Sequence, residues 1–107
     1  MTYVKRDEQV DLKFEGDLIA KASSRSVNGP NQNRWTEMKL YKTKSGKFVI
    51  GIAGITIWQG EHDRYSGYTC KDENEVVKAL IDHNEGELSW LAKELLGEAG
   101  IDSAEEV

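Results

Sequence analysis

The chain reads as a single α+β domain over residues 1–107: an antiparallel meander of about four strands (residues ~10–70) followed by two helices (~73–83 and ~87–99) packed on one face. Three observations predict this. Apolar residues alternate with charged ones before Cys70, and they recur every third or fourth position after it. The strands are grouped ahead of the helices, which favours α+β over an alternating α/β order.

The first strand is expected over Val10 to Ala22. Val10, Leu12, Phe14, Gly16, Leu18, Ala20 and Ala22 hold the even positions, and the odd ones are charged except for Ile19. A period of two places one face on a core and the other in water. Gly16-Asp17 in its middle reads as a bulge or as a tight turn that splits the run into a hairpin, and the unbroken parity favours one bent strand. Residues 23–33 carry Asn28-Gly29-Pro30 and little that can be buried, so they read as a flexible loop. Extended character resumes over Arg34 to Thr43. Lys44-Ser45-Gly46 then supplies a short connection with glycine where a left-handed residue is needed.

Lys47 to Trp58 is β-branched and apolar on both parities, which predicts the central strand, with a bulge where the pattern shifts near Gly54. After a polar turn at Gln59 to Asp63, Arg64 to Cys70 forms the fourth strand. Asp72 with Glu75 three residues later marks a helix start, and Val76, Val77, Leu80 and Ile81 make its stripe up to His83-Asn84 and Gly86. The second stripe is Leu88, Leu91, Ala92, Leu95, Leu96 and Ala99. Gly100 stands in the C-terminal left-handed position with Ile101 as its hydrophobic contact, and 102–107 form a frayed acidic tail.

Composition narrows the function classes. The net charge is -5, but residues 1–50 hold ten Lys+Arg against six Asp+Glu, whereas residues 51–107 hold four against thirteen. The basic excess lies in the strands and the acidic excess in the helices, an asymmetry that suits two solvated faces or the steering of a charged partner. Cys70 is the only cysteine, so no intrachain disulfide or Cys-based zinc cluster is available, and a reducing cytoplasm is the expected compartment. No run is long and apolar enough for a membrane span, and residues 1–10 lack the apolar stretch of a secretory signal.

Gly-x-Gly-x-x-Gly, phosphate-loop and Gly-x-Ser-x-Gly patterns are missing, so neither a cofactor nor a catalytic residue is expected. Small size, acidity and the lack of such motifs suit a bacterial or phage accessory protein. The leading expectation is a non-catalytic regulatory or inhibitor module that docks on a protein. Trp58, Arg64 and Tyr65 supply anchors of the type that dominates interfaces. Trp90 lies outside the second helical stripe, either packed on the sheet edge, the commoner outcome, or exposed as a contact. Glu87, Glu94 and Glu98 offer an acidic face to a basic cleft, in imitation of nucleic acid.

Two alternatives come from other classes. Arg34, Trp35, Lys39, Tyr41 and Lys44 interleave cations with aromatic rings, as a single-strand binder does, although the overall negative charge disfavours it. Glu61, His62 and Asp63 place a carboxylate on each side of a histidine, a pattern suited to a weak metal site or an acid/base pair in a small enzyme. Adjacent residues seldom point at one ion, so a polar hairpin loop is the simpler reading.

Overall fold

The computed structural model describes residues 1–25 and 33–103. Six strands and two helices follow in order: β1 (Thr2–Val4), β2 (Leu12–Phe14), β3 (Gly16–Ser23), β4 (Arg34–Thr43), β5 (Phe48–Thr56), β6 (Arg64–Cys70), α1 (Glu73–His83) and α2 (Trp90–Ala99). The expected α+β architecture is present, as a four-stranded antiparallel sheet ordered β3-β4-β5-β6 with both helices packed on it. Most of the expected loop at 23–33, and the end of the acidic tail, lie outside the described residues.

One face of the sheet carries Ala20, Met38, Leu40, Ile50 and Ile52, which pack with Val76, Leu80, Leu91, Leu95 and Leu96 of the helices. Leu40, Ile50, Val76 and Leu95 are fully buried. Each helix is held by side chains that the sequence placed at its ends. Asp72 Oδ1 accepts from Glu75 N at 2.9 Å, and Ser89 Oγ accepts from Ala92 N at 3.1 Å. Gly100 adopts φ +73°, and Ile101 N donates to Leu96 O at 2.9 Å with the Ile101 side chain buried. The second helix begins at Trp90, three residues later than expected, because Ser89 provides the cap and leaves Glu87 in the connection.

The N-terminal strand differs from expectation. Residues 10–22 are not one bent strand: Val10 is exposed, β2 and β3 are separate, and the register with β4 shifts between Leu18 and Ala20 rather than at Gly16-Asp17. The bulge reverses parity, so Ala20 faces the helices while Leu18, paired with Tyr41, faces the other way and is exposed. Gly16 serves a different purpose. A Cβ there would stand 2.4 Å from the Lys42 carbonyl oxygen, so its bare α-carbon lets the strands approach. The β4–β5 register also runs unbroken through Thr36↔Gly54, so the expected bulge at Gly54 is not formed.

β1, not anticipated from the polar N-terminus, pairs with β2 and lays Val4 across the second face of the sheet. Val4 sits over Gly51 and Gly67, which are cross-strand partners in β5 and β6. Their missing side chains make the notch that admits it. Asp7 then reaches the β6 edge, accepting from Tyr65 N at 2.8 Å while its own N–H donates to Tyr65 O at 3.2 Å. Thus β5 is covered on both faces over part of its length, as its apolar content requires. Among the described residues no helix is long and apolar enough to cross a membrane.

Candidate functional site

The register Arg34↔Thr56 brings the start of β4 beside the end of β5. The chain continues through Ile57, whose N–H donates to Asn33 O at 2.9 Å, and turns back through Gly60 at φ +88° to begin β6 opposite Gly54. This turn is shaped by Glu61. Its carboxylate accepts a two-pronged interaction from Arg34, Nε to Oε1 at 2.9 Å and Nη2 to Oε2, and a further hydrogen bond from the Thr56 hydroxyl. The Arg34 hydrogen bond, with that from Thr56 second, holds the Glu61 carboxyl down at about 2. The same contact raises the Arg34 guanidinium. Both side chains remain solvent accessible, so the pair adds little stability and chiefly orders the turn.

Beside this clamp lies an open recess of about 580 Å³, with Arg34, Trp35, Thr56, Glu61, His62 and Arg64 among its walls. Ile57 and Trp58 stand next to each other at this end, 62% and 52% exposed, and the Arg34 guanidinium is 6.0 Å from the Trp58 ring centroid. On the other wall the Arg25 guanidinium lies 4.1 Å over the Trp35 ring, whose Nε1–H donates to Glu37 at 2.7 Å. The site therefore combines exposed apolar surface with ordered arginines.

The other chemical candidates are distributed differently. Asp63 accepts from Thr56 N at 2.9 Å and from the Tyr65 hydroxyl at 3.3 Å, so the Glu61 and Asp63 carboxylates are each engaged by protein groups. No group of three His, Cys, Asp or Glu able to hold a metal occurs among the described residues. Cys70 is buried at the far end of β6, its thiol pushed up to about 11 by burial.

Of the expected partner-binding set, Arg64 lines this recess and Trp58 stands exposed in the turn beside Arg34, whereas Tyr65 points to the second face. Trp90, the first residue of α2, is 47% exposed rather than packed away. Glu94 and Glu98 are exposed on the same helix and line a separate recess beside Lys21 and Lys39; Glu87 is exposed ahead of the helix. The expected single-strand set is also divided. Trp35, Lys39 and Tyr41 share the second face, Arg34 is held by Glu61, and Lys44 pairs with Glu15 at 3.3 Å beyond the opposite end of β4. Sequence reasoning passed over Ile57, Thr56 and Arg25 in the site. Ile57 was absorbed into an apolar run, and the pairing of Arg34 with Glu61 follows only once the register is known. Compared with known proteins, the chain matches no family model, no curated protein and no solved structure.

Proposed function

We propose that the chain is a non-catalytic interaction module that docks on a protein partner through the β4–β5–β6 end of its sheet. The observation that carries this reading is the adjacent exposure of Ile57 and Trp58 beside an ordered Arg34–Glu61 pair. Contiguous apolar surface rimmed by polar groups is characteristic of contact sites, and Trp and Arg are the residues whose truncation most weakens interfaces. Because Glu61, itself bonded by the Thr56 hydroxyl, already holds Arg34, little side-chain freedom remains to be lost on association.

The test compares immobilised wild-type protein with a Trp58→Ala/Ile57→Ser double variant, each incubated with lysate of the cells that make it. Both substitutions lie in exposed positions, so the double variant keeps its fold by circular dichroism. Proteins retained by the wild type and lost from the double variant support the reading. Identical retained sets dispose of it. Charge reversal at Glu87, Glu94 and Glu98 separates this site from the acidic helical face, since docking through Trp58 leaves capture by that variant unchanged.

A further inference from the structure

The second face of the sheet is only half covered. Val4 fills the notch at Gly51 and Gly67, and the rest of the face opens into a groove of about 250 Å³. Ala53 and Ile55 line it from β5, Tyr41 and Lys39 from β4, Tyr65 from β6, and Tyr3 and Lys5 from the N-terminal arm. Tyr3 is 62% exposed, Phe14 holds the Tyr41 ring edge-on at 5.2 Å, and the Lys5 ammonium lies 4.6 Å from the Tyr65 ring centroid.

Beside the groove, the register places Lys21 of β3 directly opposite Lys39 of β4. Like charges in this arrangement repel, both lysines are exposed, and neither has an ion pair among the described residues. The face thus holds a cation pair without an ion-pair contact, a third lysine and several tyrosine rings. We propose that it binds single-stranded nucleic acid, with Lys21, Lys39 and Lys5 taking phosphates and Tyr3, Tyr41 and Tyr65 offering surfaces to the bases. A single strand supplies regularly spaced anions and flat rings together, which is what such platforms select. An acidic peptide supplies the charge without the rings.

The net negative charge opposes this only in part, because most of it lies in the helical layer. Residues 72–102, which build the helical layer, hold nine Asp+Glu and two Lys. Five carboxylates come close. Glu37 lines the groove and accepts from Trp35 Nε1, Asp63 accepts from the Tyr65 hydroxyl and Asp7 from Tyr65 N, and Glu94 and Glu98 reach the β3 side of the lysine pair. The strand therefore runs from the lysine pair toward Lys5, away from α2.

The inference does not rest on protein docking at Trp58, and its test keeps the two apart. Anisotropy of a labelled oligothymidylate of about 12 nucleotides is measured at about 20 mM and about 200 mM salt. Three phosphate contacts give roughly a 100-fold loss of affinity across that tenfold range, from a slope of about -0.7 per contact. Lys21→Glu with Lys39→Glu abolishes measurable binding, Tyr3→Ala weakens it several-fold, and Trp58→Ala leaves it unchanged. Overturning results are no binding at the lower salt, full binding by the lysine double variant, or polyglutamate of equal charge binding as tightly with Tyr3→Ala inert. The last would make the face a site for acidic protein.

Discussion

Gly16 and Gly97 occupy opposite environments, and a single methyl group tells them apart. At Gly16 the added carbon would meet the Lys42 carbonyl oxygen at 2.4 Å and the Thr43 α-carbon at 2.8 Å, both main-chain atoms that cannot swing aside. Gly16→Ala must therefore push β3 away from β4, with an expected loss of about 1–3 kcal/mol in urea unfolding. Gly97 lies on the exposed side of α2, and an added Cβ there meets nothing within 4 Å. Its helical backbone has no use for glycine's freedom, so Gly97→Ala should stabilise by about 0.5–1 kcal/mol. Equal effects from the two would mean that β3 does not lie against Lys42. Composition marks both positions as glycine, but only the strand register says which one is sterically required.

At the scale of elements, legibility mostly followed locality. The start of α1 and the end of α2 are set by residues within three or four positions of each other, Asp72 with Glu75 and Gly100 with Ile101, and these were readable, whereas the Ser89 cap of α2, just as local, was not. The bulge at Leu18–Ala20 was not, because it depends on how β3 lies along β4, and nothing in residues 10–22 alone reveals that partner. Docking of α1 on β6 gives a pH prediction. The His83 ring stands edge-on to Tyr68, centroids 5.7 Å apart, with Nδ1 at 2.7 Å from the Tyr68 hydroxyl. Partial desolvation beside β6, at a residue that stays exposed, lowers its pKa from the usual 6.5. The folded state thus binds this proton less readily than the unfolded chain does. The stabilisation is complete above about pH 6.5 and declines as pH falls through 6.5 toward the lower folded value. Thermal unfolding between pH 7.5 and 5 should show this loss of Tm, and His83→Gln should flatten it. An NMR titration placing the His83 midpoint at or above 6.5 would contradict the sign.

Across the whole molecule, three layers are stacked: acidic helices, the sheet, and a short N-terminal arm over part of the second face. The sequence disclosed the first two through their periodicities. The arm stayed hidden because one buried side chain, Val4, anchors it among polar neighbours, and a single apolar residue makes no pattern. Its seat was equally obscure, since Gly51 and Gly67 become a notch only when paired across β5 and β6. The same arm leaves the Tyr3 side of the groove open while closing the other half, so it sets how much of the face a ligand can reach. Val4→Ala removes two buried methyl-sized groups from a position whose floor is glycine on both strands, and no neighbouring side chain below can move in to fill the space. The expected loss is about 2 kcal/mol, from roughly 0.8 kcal/mol per buried carbon and a residual cavity. Tyr3→Ala, one residue away but exposed, should change stability by less than about 0.5 kcal/mol. Urea unfolding of both variants separates an arm that is part of the fold from one that merely rests on it: if Val4→Ala is as mild as Tyr3→Ala, the sheet stands without the arm, and the groove extends under it.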